Sequence, residues 1–204
     1  MSTSNAQRRA PKTRPYRLGR RAEKLQDTRR RITEAAVRLH ATLGPARTSV
    51  AQIAERAGVQ RHTFYAHFPD ERSLLMACSG LALERDPLPD PASWLPIPPG
   101  AGRVATGLGE LYGWYERNVD LAACVLRDAE HHEPTREIVA LRMMPTFERA
   151  AEVLGEGLDR KARALLAVSL DFSCWRALAL ADAAASAAAT MSKAIALLNE
   201  PGRA

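Results

Sequence analysis

Six side chains crowded between positions 60 and 67, namely Gln60, Arg61, His62, Thr63, Tyr65 and His67, are of the types that read or hold nucleic acid. A guanidinium presents paired donors that match guanine in the major groove, and a glutamine amide matches adenine. Threonine, tyrosine and histidine suit phosphate oxygens. Val59, Phe64 and Phe68 are interleaved with them. If those three face a core, the six polar side chains must project from a short helix or from its ends.

A pattern of elements that can position such a helix surrounds it. From Asp27 onward, Ile32, Ala35, Ala36, Leu39 and Leu43 recur at the i, i+3, i+4, i+7 spacing of a buried helix face, which Gly44-Pro45 ends. Ser49 and Gln52 have the spacing of a capping box, opening a second helix with the stripe Val50, Ile53, Ala54, Ala57, and Gly58 stops it. Val59 alone separates that glycine from a third helix over about 60–68, so the pair reads as a helix-turn-helix. Pro69 breaks the chain and Asp70 can cap a fourth helix, about 71–84, with Leu74, Leu75, Cys78 and Leu81 on its apolar face. This fourth helix is expected to join two domains.

The stretch 48–75, TSVAQIAERAGVQRHTFYAHFPDERSLL, resembles the DNA-binding signature of the TetR family of transcriptional regulators. The resemblance rests on the threonine and serine opening the second helix and on Ile53-Ala54 with Ala57-Gly58-Val59 at the turn. Thr63-Phe64-Tyr65-x-His67-Phe68 and the paired leucines Leu74-Leu75 complete it. It implies that Ser49, Thr63, Tyr65 and His67 take phosphates, leaving Gln60, Arg61 and His62 to read sequence. Gln60 stands where a small serine is usual and His62 where glycine or alanine is usual; each either contacts a base or fills space. Glu71, followed by Arg72, replaces the lysine usual at the start of the fourth helix.

The charge is divided in the same sense. Residues 1–80 hold 16 of the 29 basic side chains but only 6 of the 23 acidic ones, while the remainder is net acidic. That is the pattern of a nucleic-acid module joined to a part that must not bind DNA. Residues 1–24 are basic with almost nothing apolar and read as a disordered arm, either a solubilising tail or a backbone or minor-groove contact. The start shows no secretory pattern and the chain no run of 18 or more apolar residues, so a soluble, cytoplasmic protein away from membranes is expected. Cys78, Cys124 and Cys174 are too scattered for zinc or a disulfide framework and read as core thiols.

Six of the thirteen prolines, with Gly100 and Gly102, fall in 85–102, which reads as a loop or linker. Beyond it, helices are expected at about 103–117, 118–132, 134–155 with a break at Pro145, 158–180 and 183–199. The fold class is therefore all-α with about nine helices. A three-helix DNA-binding domain over 25–84, its helix-turn-helix at about 48–67, precedes a helical domain over 103–204. The looser resemblance of that second domain, through Asp171-Phe172-x-x-Trp175-Arg176, implies effector binding and a homodimer formed by the last two helices. Leu165, Val168, Phe172, Trp175 and Ala179 form the matching stripe. Such a dimer would read two half-sites of a near-palindromic stretch of double-stranded DNA.

Tyr112, Trp114, Tyr115, Cys124, Met143, Met144, Phe172 and Trp175 are the candidate lining of an effector pocket, each also an ordinary core residue by type. An aromatic, weakly acidic pocket would suit an apolar or cationic compound. Asp128 and His132 stand at i, i+4 and read as a solvated helix end before Pro134 rather than as metal ligands. No phosphate-binding loop, nucleophile elbow, zinc-protease motif or complete dinucleotide glycine pattern is present, so neither an enzyme nor a cofactor is expected. The main alternative is a DNA-binding dimer that answers to no effector.

Overall fold

A computed structural model describes residues 14–181 and 184–199, and within them every regular element is helical. Helix α1 (Arg14–His40) buries Ile32, Ala35 and Ala36 and ends at Gly44, whose φ of 94° lies where a side chain would strain the backbone. A single 3-10 turn, Pro45–Arg47, leads into α2 (Val50–Ala57). The capping box forms there as the spacing requires, and Gly58, at φ 65°, closes α2 by donating to Ala54 O and Glu55 O. α3 (Arg61–His67) and α4 (Glu71–Arg85) follow, the latter capped by Asp70 accepting from Ser73 N at 2.7 Å. Ile32, Ile53, Phe64, Phe68, Leu74 and Cys78 form one core beneath these four helices.

A second, larger core lies in the remaining helices, around Trp94, Val104, Leu108, Tyr115, Leu154, Leu166 and Ile195. The helices are α5 (Ala101–Arg117), α6 (Val119–Ala129), α7 (Glu133–Arg142), α8 (Met144–Leu154), α9 (Arg160–Ser169), α10 (Phe172–Ala181) and α11 (Ala184–Leu198). α5 runs through the middle, with Val104, Leu108, Leu111 and Tyr115 buried. The expected break near Pro145 separates α7 from α8 at Met143.

Several expectations are corrected. The arm does not extend to residue 24: α1 already runs from Arg14, and Arg20, Arg21, Ala22, Glu23 and Lys24 favour helix although they are exposed. Residues 1–13 lie outside the described part. The proline-rich segment is a strap rather than a free linker. A 3-10 turn, Pro91–Trp94, drives Trp94 into the body core, where its Nε1 donates to Glu110 Oε2 at 2.8 Å. Buried Arg103 then gathers Ile97 O and Leu95 O from the strap and Val153 O from α8, and pairs with Glu156.

The expected single helix over 158–180 is two helices, α9 and α10, bent by 78°. Asp171 accepts from Ser173 N and opens α10, while Tyr112 and Tyr115 on α5 donate their hydroxyls to Ser169 O and Leu170 O, carbonyls that the break leaves free. The described residues thus hold eleven α-helices rather than about nine. The break divides the supposed dimer stripe: Phe172 and Trp175 are buried in the body core, Leu165 and Ala179 pack against it, and Val168 is exposed. Finally, Asp128 is not a solvated helix end; it is 1% exposed and grips the turn after α1.

Candidate nucleic-acid interface and the cavity behind it

α3 is held by its apolar side. Phe64 and Phe68, one turn apart, are buried with their rings 5.9 Å apart, and half-buried Val59 packs against the same core. Arg29 of α1 lies 4.1 Å over the Phe68 ring and donates to His67 O at 2.6 Å. Arg31 donates to Ala57 O and Gly58 O, the carbonyls at the end of α2, where a cation also meets the negative end of the helix. Two cations of the basic half therefore fix the angle between α2 and α3. Sequence reasoning missed both, because their partners lie 26 to 38 positions away.

With that side fixed, the other faces outward. Gln60 is the N-cap of α3 but makes no side-chain cap bond, and Arg61 makes no hydrogen bond or ion pair among the described residues; both are exposed. His62 is exposed, its Nε2 3.3 Å from the hydroxyl of half-buried Thr63. Tyr65 is exposed and meets Phe64 edge-on, His67 is half-buried, and Ser49 is exposed at the start of α2 with its hydroxyl engaged by Gln52. All seven predicted residues thus sit at the start of α2 or along α3. At the start of α4, Glu71 faces His132 at 3.5 Å and Arg72 faces Glu137 at 3.7 Å, so both turn toward the body.

The joint between head and body is built from charged and small groups. Asp128 of α6 accepts from Ala46 N at 2.9 Å, Arg127 donates to Leu43 O at 3.0 Å while pairing with Asp128, and the Cys124 thiol lies 3.6 Å from Ala41 O. A side chain at Gly44 would collide with Asp128 Oδ2. Beside this turn His40 is buried, and loss of hydration lowers its pKa to about 4, with Asp128 opposing the shift. At the far end of α4, Asp86 receives Arg117 at 2.9 and 3.1 Å and Asn118 at 2.8 Å. Trp114 donates to its carbonyl at 3.0 Å. The Arg117 hydrogen bond holds the Asp86 carboxyl below its usual range.

Between these two fastenings lies a cavity of about 90 Å³, walled by α1, α4, α5, α6 and α7. A cleft of about 310 Å³ adjoins it, sharing Leu126, Val139 and Met143 as a wall. Of the candidate lining, Trp114 and Met143 border the first hollow, and Tyr115, Met143, Met144 and Phe172 border the second. Tyr112, Cys124 and Trp175 border neither. Tyr112 and Tyr115 are committed to the α9–α10 break, and burial raises the pKa of both hydroxyls. No group of three or more possible metal ligands occurs among the described residues.

Comparison with known proteins adds three findings. Residues 32–78 match the model described as bacterial regulatory proteins, tetR family. The HTH-type transcriptional regulator TtgR of Pseudomonas putida is 47% identical over 55 residues, 27% of this chain and 26% of that protein. The alignment thus spans about a quarter of the curated relative. Among solved structures, the multidrug binding protein EbrR, complexed with imidazole, is 24% identical with a TM-score of 0.58. That match covers 86% of this chain and 97% of EbrR. A TerR/AcrR-family transcriptional regulator of Aquifex aeolicus is 20% identical with a TM-score of 0.54, over 84% of this chain and 99% of that one. Residues 32–78 thus match the tetR-family model of bacterial regulatory proteins, on a chain that shares the all-helical fold of those solved structures.

Proposed function

We infer that the chain is a DNA-binding transcriptional regulator, acting as a homodimeric repressor that a small molecule releases from a near-palindromic operator. The observation that carries this reading is the outward face of α3. Gln60 and Arg61 have no side-chain partner among the described residues, although α3 itself is clamped from behind by Arg29 and Phe68. Rigid positioning of unpaired donors is what base readout requires. Ser49, Thr63, Tyr65 and His67 would then take phosphates, and the joint through Asp128 would carry changes in the body to the head.

The hollow space behind α4 favours an effector-responsive regulator over a purely architectural dimer. An effector releases DNA only if it prefers the form whose two reading heads are wrongly spaced. Selection of bound genomic fragments at a stated salt concentration tests the reading, with wild type beside Arg61→Ala. Wild type should select a short palindrome. Arg61→Ala should lose preference at one base pair per half-site, at a cost of about 1–3 kcal/mol there. Binding without sequence preference would reject it.

A further inference from the structure

The cavity behind α4 is almost wholly apolar, formed by side chains such as Leu75, Leu83, Leu121 and Ile138, yet one wall contributes a cation. Arg142, in the last turn of α7, is half-buried, and its Nε is shut off from solvent with no hydrogen-bond partner. Its guanidinium reaches across to α4 beside Gly80; a methyl placed there would stand 3.9 Å from Nη2. No carboxylate lies along this cavity among the described residues. His40, the other basic side chain on its wall, is held neutral near pH 7 by burial. The charge of Arg142 therefore meets no counter-charge from the cavity wall.

A buried donor left without a partner is costly, and proteins leave few of them. A guanidinium offers Nε and Nη as a planar fork that matches the two oxygens of a carboxylate. We propose that Arg142 anchors the acid group of the effector, and that the effector class is a small apolar molecule carrying one carboxylate. This assignment deepens the reading of the cavity as an effector site and rests on it. It reverses the expectation of a cationic ligand.

The remaining surface suits the rest of such a molecule. At about 90 Å³ the cavity is small. A longer apolar body passes Met143, whose unbranched thioether side chain separates this cavity from the cleft lined by Tyr115, Phe147 and Phe172. An acid seated on Arg142 lies against α4 at Gly80, on the helix that rises directly from the reading head. Binding is thereby coupled to the position of α4.

The test measures thermal unfolding of the full chain with hexanoate, octanoate and benzoate, each beside its neutral counterpart, 1-hexanol, 1-octanol and benzyl alcohol. The expected result is a saturable rise in Tm, about 5 °C at a hundredfold excess over Kd, for at least one acid and not for its alcohol. Arg142→Met should weaken that acid about tenfold to a hundredfold, and Arg142→Lys should weaken it less. Without ligand, Arg142→Met should be at least as stable as wild type, because it removes a buried donor that has no partner. Alcohols that match their acids, or an acid shift that survives in Arg142→Met, would overturn the acid assignment while leaving an effector site in place. No shift with any acid would overturn it as well. Fragment binding by ligand-free Arg142→Met separates these failures from failure of the DNA-binding reading, because it should equal wild type.

Discussion

Burial beside the turn after α1 leaves His40 with a pKa near 4, while Asp128 alone pulls it back toward its ordinary value. In the unfolded chain this imidazole titrates near 6.5. Between those two values the unfolded state holds the extra proton, so stability rises with pH across the window and is lost as pH falls from about 6.5 toward about 4. The loss amounts to about 3 kcal/mol when complete. A series of urea midpoints from pH 7 to pH 5 should therefore decline for wild type and stay flatter for His40→Gln. Glu34 and Asp86, whose pKa values are lowered by hydrogen bonds from Arg30 and Arg117, act only at lower pH. Equal slopes for the two proteins between pH 7 and pH 5 would remove His40 from the account. The sequence offered no hint of this chemistry, since His40 is ionisable by type and its burial depends on residues of α4 and α6.

The elements of the head were legible because their signals are local. Ser49 with Gln52, Gly58 at the turn, Asp70 before α4 and the Ile32–Leu39 stripe each act within a few positions; α2 and α4 begin and α2 ends where those signals placed them, and the stripe is the buried face of α1. What was missed is non-local. The bend after α9 depends on two tyrosine hydroxyls from α5, some 55 positions away, and the Arg103 network ties the strap to α8. Composition alone reads 85–102 as a linker, because prolines and glycines say nothing about a tryptophan that finds a core. If the strap is structural, Arg103→Met should cost about 3 kcal/mol, since it strands the carbonyls of Leu95, Ile97 and Val153. The urea midpoint measures that cost, and limited proteolysis should show new cleavage between residues 87 and 100. A variant as stable and as resistant as wild type would mean that the strap is held by Trp94 without Arg103.

At the scale of the whole molecule, the proposed reading of palindromic DNA requires two heads at fixed separation, and therefore a surface of the body that pairs with its mate. Of the stripe expected from sequence, Phe172 and Trp175 serve the monomer's own core, while Val168 is exposed. The structure leaves other apolar side chains outside. Leu180 at the end of α10 is 81% exposed, and Leu197 and Leu198 on α11 are exposed beside Val168 of the stripe on α9. These lie on the same three terminal helices of the body, away from the reading helix, and a large apolar side chain exposed to that degree is a candidate interface residue. A dimer built there buries Leu180, so Leu180→Arg should introduce a charge that the pairing cannot neutralise. Sedimentation equilibrium should give wild type twice the 22.3 kDa of one chain and shift Leu180→Arg toward a single chain. The variant should also lose operator affinity, because each head would then bind its half-site alone, without the high effective concentration that linkage supplies. A Leu180→Arg protein that remained dimeric would place the interface elsewhere, and a monomeric wild type that still gripped a palindrome would mean that the two copies meet only on DNA.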